Sequence, residues 1–447
     1  MLELTRQISL SRLPPRRALG LAIAFAIGVT AILALLMPGG HGSTPRSAGG
    51  GRAPASVPAL IAHSFRRVCR HGFPAGSGVA ASGPASASRP GRSSLGRTLD
   101  AVLRAARRRL HVPATTAAVV VCGRVVWADA TGVLDLSSQR PATNQTLFVL
   151  NSAAKTFVAT MIMREIQAGR LSLRTRLSRF YPWLPNAAQI SVRMLLNMTS
   201  GLPDYLYNPQ IDRVMDRDPR HRWTVDQLLT GLGSGLGTPR FLPGHRFQYS
   251  DTNYIVLGAI LEHITHRSVE RDFQELIARP LGMRSATFVP TPAAKALIAH
   301  PYLRSRRGVL TSRWIQGFGV PSAVWGPVFT DGGLATSSLD LASFGNALFG
   351  GRLVDATALG QMSQIGPGDY GFGLRGRSFG GHYWLGHRGY FGGFEAEGWT
   401  DPTRQLTIAV ATNLQIAGGA PTSTAVWTDL ARAVDRQNLD PGRPSVG

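Results

Sequence analysis

The chain has 447 residues, 44% of them hydrophobic, and carries 48 Lys and Arg against 25 Asp and Glu, for a formal net charge of +23. This length and apolar content are enough for a large core in one or two lobes. The positive charge does not predict nucleic-acid binding, because the arginines are scattered mostly in ones and twos without interleaved aromatic residues. Two cysteines are too few for a structural zinc cluster.

An apolar segment lies near the N-terminus, where "ALGLAIAFAIGVTAILALLM" fills residues 18–37 without a charge. As a helix it is long enough to cross a hydrocarbon layer of ~30 Å, whereas the apolar part of a signal peptide usually has about 7–15 residues. We therefore expect a transmembrane anchor, with signal cleavage and secretion as the alternative. Basic residues precede the segment, which predicts that residues 1–17 are cytoplasmic and that the chain after Met37 lies outside the cytoplasm.

The remainder of the chain divides into a linker, one domain and a tail. Residues 38–97 are dominated by Gly, Pro, Ala, Ser and Arg, which predicts a disordered linker because such a segment buries too little apolar surface to offset its ordering entropy. Residues 98–438 form the predicted domain and residues 439–447 a flexible tail. The arginine-rich surface of this domain is expected to be solvated, with weak attraction to anionic envelope polymers as the alternative.

The first predicted element of the domain is a β-hairpin in "TTAAVVVCGRVVWADATG", which contains Cys122. The other cysteine, Cys69, lies in the linker. A location outside the cytoplasm permits a disulfide between the two, and a buried free thiol at Cys122 is an equal alternative.

A helix with a serine in its first turn follows in "FVLNSAAKTFVATM", residues 148–161. Lysine is rare in this chain, since Lys155 and Lys295 are its only two lysines, yet Lys155 stands three residues after Ser152. Residues three apart on a helix share a face, so the Lys155 amine is expected to approach the Ser152 hydroxyl. The helical spacing is indicated by the apolar residues Phe157, Val158, Met161, Ile162 and Ile166.

This pair has a chemical consequence. A serine hydroxyl needs a neighbour that accepts its proton when it attacks a substrate. An arginine cannot do so near neutral pH, whereas burial can lower the pKa of a lysine enough. The N–H groups at the helix start favour a developing oxyanion. On this pattern alone, however, a helix-capping serine followed by an exposed lysine is the commoner interpretation.

Two further motifs lie downstream. In "GHRFQYSDTNYIVLGAILEHIT", Tyr249 can move a proton and Asp251 can position a substrate group at the start of another helix. The stretch "WLGHRGYFGGFEAEGWTDPTRQLTIAVATN" predicts two strands joined by a turn at residues 400–404. His387 and Gly389 lie near the start of the first strand, where a glycine lets a substrate approach the backbone closely.

Together these motifs resemble the serine β-lactamase and penicillin-binding superfamily, whose signature is Ser-x-x-Lys, then Ser or Tyr-x-Asn, then Lys or His-x-Gly. Within it the sequence is similar to the class C β-lactamase and D,D-carboxypeptidase branch, which includes esterases and D-amino-acid peptidases. The resemblance covers residues 99–433, including "LLNMTSGLPDY", "YSDTNY", "TDGGLATSSLDLASFG" and "GHRGYFGGFEAEGW". It implies an α+β (mixed α/β) fold: a mostly antiparallel sheet from the N- and C-terminal segments, flanked by helices, and an all-helical lobe over residues 167–320.

The resemblance also implies site roles. Ser152 is the acylated nucleophile, Lys155 and Tyr249 share the acid and base work as a coupled unit, and the backbone N–H groups of Ser152 and Tyr390 form the oxyanion hole. His387 is expected to line the substrate side of its strand.

Two departures from the family pattern put β-lactamase activity in doubt. Asp251 replaces the usual Asn, so a carboxylate stands where an amide is both donor and acceptor. His387 replaces the usual Lys, which removes a permanent charge that helps to hold a substrate carboxylate. Neither departure removes the acylation machinery.

Three other patterns resemble functional motifs, but we interpret them as decoys, that is, as chance matches without that function. "GFGLRG" resembles a dinucleotide loop and "GRSFG" a nucleophile elbow around Ser378, but no helix is predicted after either. Glu262, His263 and His266 lack metal-site spacing and fit the polar face of a helix. We therefore expect no metal and no cofactor.

The leading hypothesis is an anchored serine hydrolase that forms an acyl-enzyme on a small peptide, β-lactam or ester substrate of the cell envelope. The alternative is a catalytically silent binding or scaffolding protein on the same fold. Loops at residues 205–222 and 302–328 are expected to shape substrate preference.

Overall fold

The computed structural model describes residues 69, 93–218, 220–289, 291–314 and 329–437. The predicted anchor, most of the linker, the tail and residues 315–328 of the second specificity loop lie outside these ranges. Within them, no helix is both long and apolar enough to cross a bilayer.

The strands, in chain order, run as follows: β1 Ala114–Val121, β2 Arg124–Gly132, β3 Phe148–Val149, β4 Tyr302–Arg304, β5 Leu310–Ser312, β6 Ala335–Thr336, β7 Arg375–Phe379, β8 His382–Phe391, β9 Phe394–Asp401, β10 Leu406–Thr412 and β11 Leu414–Ile416.

The α-helices, in chain order, run as follows: α1 Ser94–Leu110, α2 Lys155–Gln167, α3 Val192–Leu196, α4 Pro209–Arg217, α5 Val225–Leu229, α6 Thr252–Thr265, α7 Val269–Phe273, α8 Arg279–Leu281, α9 Pro292–Leu297, α10 Phe329–Gly332, α11 Ser338–Phe349, α12 Ala356–Met362 and α13 Thr422–Arg436. A π-helical turn, Gln274–Ala278, joins α7 to α8, and short 3₁₀ turns precede several of the other helices.

Six strands form one antiparallel sheet in the order β2-β1-β10-β9-β8-β7. The N-terminal hairpin therefore pairs with strands from the C-terminal quarter of the chain, which confirms the predicted fold class. Along each strand, alternate residues point to opposite faces. In β1, for example, Ala117 and Val119 enter one apolar cluster, while Ala118 and Val120 enter the other.

Helices α1 and α13 cover one face of the sheet. Their apolar sides bury Leu99, Leu103 and Trp427 against Trp384 of β8 and Ile408 of β10. Helix α1 begins at Ser94, four residues before the expected domain start, because the Ser93 side chain caps it by accepting from the backbone N–H of Gly96. The end of the predicted linker is thus part of the folded domain.

The other face carries α2, α11 and the helical lobe. This lobe was expected to be all-helical over residues 167–320, but β4 and β5 fall within that range and form a small sheet with β11. Both strands are only three residues long, too short for a period-two pattern to be visible in the sequence.

The predicted strand at residues 384–400 is two strands. A tight turn at Gly392 and Gly393, both with positive φ, separates β8 from β9. The apolar pattern did not reveal this turn because β9 is buried on both faces and the residues around the turn remain largely apolar. The Gly-Gly pair was the available signal.

The decoy patterns have the structures expected of them. Ser378 lies within β7, which leads into another strand and not into a helix. Glu262 accepts a hydrogen bond from the backbone N–H of Val269, and His263 packs against Phe180. Among the described residues no group of acidic, His and Cys side chains is arranged to hold a metal ion.

The two cysteines form a disulfide. Cys122 lies at the turn between β1 and β2 and is bonded to Cys69, 53 residues earlier. The disulfide thus ties the linker to the edge of the domain.

Candidate active site

Ser152 stands on a sharp turn between β3 and α2. Asn151 has a positive φ of 49° and starts a short 3₁₀ turn, Asn151–Ala154, that continues into α2. The Asn151 side chain donates to the backbone oxygens of Phe391 and Phe394 at 3.3 Å each. These bonds fix the turn that contains Ser152 to the β8–β9 hairpin.

Lys155 has the expected position beside Ser152. Its Nζ donates to the Ser152 Oγ at 3.1 Å and to the backbone oxygen of Asp331 at 2.6 Å. It also forms an ion pair with Asp251 Oδ1 at 2.5 Å. The side chain of Lys155 is 0% exposed, so the alternative of a surface lysine after a capping serine is wrong.

The charge state of Lys155 differs from the expected one. Burial alone lowers the pKa of its ammonium group, but the carboxylates of Asp251 and Asp331 outweigh burial and leave that pKa above its ordinary value. The prediction of a lowered pKa is therefore wrong for the free protein. That prediction considered only the burial of Lys155. It did not consider Asp251 and Asp331, which the fold places near the lysine amine.

Three buried carboxyl groups surround this one lysine. Asp204 accepts from the backbone N–H groups of Leu206 and Asp251, and Asp331 accepts from the Tyr205 hydroxyl at 3.1 Å. Burial, then the neighbouring Asp251, raises the pKa of Asp204 to about 8. Burial raises the pKa of Asp331 well above its ordinary value despite the charge of Lys155. One cation cannot balance three buried anions, so the site favours the protonated forms of Asp204 and Asp331.

Tyr249 also lies near Ser152. Its ring centroid is 5.2 Å from the Lys155 Nζ, and its buried hydroxyl approaches Ser152. Burial and then the Asp251 carboxylate raise the pKa of the Tyr249 phenol well above its ordinary value, although the nearby Arg375 and Ser152 oppose this. Tyr249 therefore presents a protonated hydroxyl to Ser152.

Asp251 and His387 make contacts within the protein that the sequence did not predict. Asp251 was expected to position a substrate, but its carboxylate is paired with Lys155. His387 was expected to line the substrate side of β8. It lies on that face but is 3% exposed, with its Nε2 3.3 Å from the Tyr370 hydroxyl. Burial, then Arg375 and Lys155, lowers the pKa of His387 well below its ordinary value, so this histidine is neutral.

Gly389 is needed for contact within the protein. A Cβ atom built there would stand 2.0 Å from the backbone oxygen of Leu150, 2.7 Å from the Ser152 nitrogen and 2.8 Å from the Ala153 nitrogen. The glycine thus lets β8 approach the turn that contains Ser152. We had expected the glycine to let a substrate approach the strand. The next residue, Tyr390, is 39% exposed at the site, and the role of its backbone N–H stays a prediction.

Arg375 is a site residue that the sequence analysis missed. It begins β7 opposite Gly386, and its guanidinium lies 5.3 Å from the Tyr249 ring and 5.2 Å from the Tyr370 ring. The pairing of β7 with β8 ends at this point, and no strand of the described chain continues it along residues 387–391. A cation therefore stands at the edge of β8 nearest to Ser152.

Comparison with known proteins gives the family. Residues 99–431 match the family model described as Beta-lactamase. The chain belongs to the beta-lactamase family. Among curated relatives, Esterase EstB of Burkholderia gladioli is 32% identical over 208 residues, which are 44% of this chain and 52% of that protein. D-aminopeptidase of Brucella anthropi is 25% identical over 347 residues, 73% of this chain and 64% of that protein. These matches span about half to two thirds of each relative's length.

Two solved structures have a fold similar to that of this chain. D-amino acid amidase from Ochrobactrum anthropi superposes with a TM-score of 0.67 at 24% identity, over 77% of this chain and 99% of that chain. The octameric penicillin-binding protein homologue from Pyrococcus abyssi gives a TM-score of 0.64 at 26% identity, over 77% and 78% of the two chains. The resemblance stated from the three motifs is thus confirmed at the level of family and fold.

Asp204 and Asp331 are the other site residues that the motifs did not reveal. Both lie in phrases that carried the family resemblance, "LLNMTSGLPDY" and "TDGGLATSSLDLASFG". An aspartate in each otherwise apolar or small-residue phrase was the available signal. Their contact with Lys155 and Asp251 depends on packing that the sequence spacing does not show.

Proposed function

We propose that this protein is a serine hydrolase that forms an acyl-enzyme on Ser152 and acts on ester or amide derivatives of amino acids or short peptides. The observation that carries the proposal is the convergence of Lys155 Nζ, at 3.1 Å, and the Tyr249 phenol on one hydroxyl at the start of a helix. A nucleophile, a proton-transfer partner and helix N–H groups in this arrangement are the parts that acyl transfer requires.

The reaction follows from these positions. The Ser152 oxygen attacks the substrate carbonyl carbon while its proton leaves through Lys155, and the N–H groups of Ser152 and Tyr390 stabilise the oxyanion. The Tyr249 hydroxyl, protonated in the free protein, is placed to donate to the leaving group as the intermediate collapses. Water then hydrolyses the acyl-enzyme, with Lys155 and Tyr249 acting again as a unit.

The charges in the site favour some substrates over others. Asp251 is paired with Lys155 and offers no amide donor to a substrate carbonyl, and His387 is neutral and buried. Both features disfavour β-lactams. Arg375 supplies a further cation near Ser152, so we expect preference for substrates that carry a carboxylate beyond the scissile bond. The names of the relatives, an esterase and a D-aminopeptidase, are compatible with such substrates.

The location is part of the proposal. The apolar segment 18–37 follows basic residues, and the Cys69–Cys122 disulfide requires an oxidising compartment to persist. Both support a domain held outside the cytoplasm by an N-terminal anchor, with cell-envelope molecules as its substrates.

The experiment is labelling with a fluorophosphonate and a fluorescent penicillin, combined with turnover of p-nitrophenyl esters. The wild type should be labelled by the fluorophosphonate and should hydrolyse the ester, and Ser152→Ala should lose both properties. Ser378→Ala is the matched control, because Ser378 is an exposed serine in β7 within a nucleophile-like pattern, and it should behave as the wild type. Equal ester turnover by wild type and Ser152→Ala would instead support a silent binding protein.

A second arm tests the substrate preference. Arg375→Gln should lower kcat/KM for a carboxylate-bearing ester by about tenfold or more, since a charge-assisted hydrogen bond contributes about 1.5–3 kcal/mol. The same change should alter kcat/KM for an uncharged ester much less. Equal losses on both esters would remove Arg375 from substrate recognition.

A further inference from the structure

The ion pair between Lys155 and Asp251 has a consequence for the proton of Ser152, provided that Ser152 is the nucleophile proposed above. An ammonium group has three N–H donors and no acceptor. The Lys155 Nζ contacts three oxygen atoms, which are Ser152 Oγ at 3.1 Å, Asp331 backbone oxygen at 2.6 Å and Asp251 Oδ1 at 2.5 Å. Two of these contacts are hydrogen bonds and the third is an ion pair, and an ammonium nitrogen held in this way has no lone pair with which to take the serine proton.

Lys155 can accept that proton only if it releases another. Of its other two partners, the backbone oxygen of Asp331 is an amide carbonyl and a very poor base. The Asp251 carboxylate is a far better base and lies at the shortest distance, on a side chain that is 10% exposed. Burial penalises both charges of the pair, so a proton can pass from Lys155 to Asp251 as Lys155 takes up the serine proton.

We propose that Asp251 is the final acceptor of the Ser152 proton, reached through Lys155, and that it is not a substrate-binding residue. Because Asp251 acts through another residue, it is a positioning and proton-holding group. The family pattern has an uncharged asparagine at this place, so the carboxylate gives this chain a proton acceptor that the pattern lacks.

The transfer balances in atoms and charge. As the Ser152 Oγ forms its bond to the carbonyl carbon, its proton moves to Lys155 Nζ and a proton of Nζ moves to Asp251 Oδ1. Lys155 ends as ammonium, Asp251 as a neutral acid, and the negative charge is on the oxyanion. When the leaving group departs, it takes a proton from Tyr249 or through Lys155, and the proton on Asp251 returns along the same path to restore the ion pair.

The groups around the pair leave Asp251 as the available base. Burial raises the pKa of both Asp204 and Asp331 and so favours their protonated forms, which cannot take up the proton. Arg375 is a further permanent charge that acts on the site. The remaining titratable groups that face the pair are neutral, and they are Tyr205, Tyr249, Tyr254, Tyr370 and His387.

The test is the rate at which a fluorophosphonate labels Ser152 in Asp251→Asn, measured by intact mass across pH. At neutral pH the variant should label about 10²–10³ times more slowly than the wild type, a typical loss for a proton-transfer group. Its rate should then rise by about tenfold or more from about pH 6 to about pH 9. Without the carboxylate, burial dominates and lowers the pKa of Lys155, so that the free amine takes the proton directly at alkaline pH.

The control is Asp331→Asn, which changes a neighbouring buried carboxyl whose side chain contacts Tyr205 and whose backbone contacts Lys155. Because the Asp331 side chain bonds to Tyr205 and its backbone oxygen, which the substitution keeps, bonds to Lys155, this variant should slow labelling by less than about tenfold with no alkaline recovery. A role of Asp251 in substrate binding predicts a weaker apparent affinity with an unchanged saturating rate and pH profile. A merely structural role predicts slow labelling at every pH. Either result overturns the proposal.

A measurement on the wild type covers the case in which Asp251→Asn does not fold. In mixtures of H₂O and D₂O, a plot of the labelling rate against the deuterium fraction should be curved, because two protons move together. A straight line, which indicates one moving proton, overturns the relay. If the wild type is not labelled at Ser152 at all, the proposed nucleophile is wrong, and this failure is distinct from failure of the relay.

Discussion

On one face of the six-stranded sheet, buried carboxylates have partners of their own, whereas on the other face three carboxyl groups share one lysine. Under α13, Glu397 pairs with Arg377 at 3.4 Å and Asp401 with Arg404 at 2.6 Å. Around Ser152, Asp204, Asp251 and Asp331 surround Lys155. Each of these two carboxylates has an arginine beside it, and Arg404 also pairs with Asp435 of α13, so these contacts hold the structure. An excess of acid forces some carboxyl groups to keep their protons, which is a property suited to proton transfer.

The apolar parts of the two faces differ as well. The α13 face packs large rings together, with Trp384 and Trp427 edge to face at 5.0 Å and Trp427 fully buried. Burial of such rings contributes most to stability. The Ser152 face has a larger apolar core, but the ionisable groups within it cost free energy of folding. The α13 face therefore has a mainly structural role, whereas the Ser152 face combines a structural core with the chemistry.

The largest expected effect is on activity, and it tests the chemical face. Lys155→Arg should reduce ester turnover by about 10²–10⁴, because a guanidinium cannot exchange a proton with Ser152 and Asp251 near neutral pH. Lys295→Arg, which changes the exposed lysine of α9, should keep wild-type turnover. Turnover and thermal unfolding should be measured together. An active Lys155→Arg would show that no proton passes through this position.

The next effect is on stability, and it tests the apolar face. Trp427→Ala should lower the free energy of unfolding by about 3–5 kcal/mol, because it removes a buried ring and the indole N–H bond to the Ile408 carbonyl. KM should stay close to the wild-type value while the protein is folded. Trp183→Ala, at a residue 51% exposed, should cost less than about 1 kcal/mol in urea unfolding. Similar losses for both variants would contradict the assignment of stability to the α13 face.

The smallest effect concerns Glu395, a carboxyl under α13 whose hydrogen-bond donors are uncharged. It accepts from the Thr422 hydroxyl and the Ser423 N–H at the start of α13, and burial raises its pKa to about 7. The pKa of this carboxyl is higher in the folded than in the unfolded state. Such a group stabilises the folded state fully only when the pH is below its unfolded-state pKa of 4.5. That contribution is lost as the pH rises towards about 7.

Glu395→Gln should therefore stabilise the protein at pH 8 by an amount on the order of 2–3 kcal/mol and change stability little at pH 4.5. Urea unfolding at the two pH values measures the difference. A gain of equal size at both values would mean that side-chain packing, and not ionisation, is responsible. No gain at pH 8 would mean that Glu395 is as well paired as Glu397 and Asp401.

The sequence was sufficient for the parts of the site that depend on local geometry. Ser152 and Lys155 lie three residues apart at a helix start, and helix pitch alone puts their side chains together. The order of the three motifs was sufficient for the family and for the choice of Tyr249. The β8–β9 turn was missed because strands buried on both faces lose the alternation that marks a boundary.

What the sequence by itself determined is thus which residues can react and on which kinds of element they stand. What only the tertiary structure decided is their charge. Asp251, Asp331 and Asp204 come from three separate parts of the chain, and the pKa of Lys155 depends on how closely they approach its nitrogen. Coulomb interactions vary with distance and burial, and both quantities are set by packing between elements.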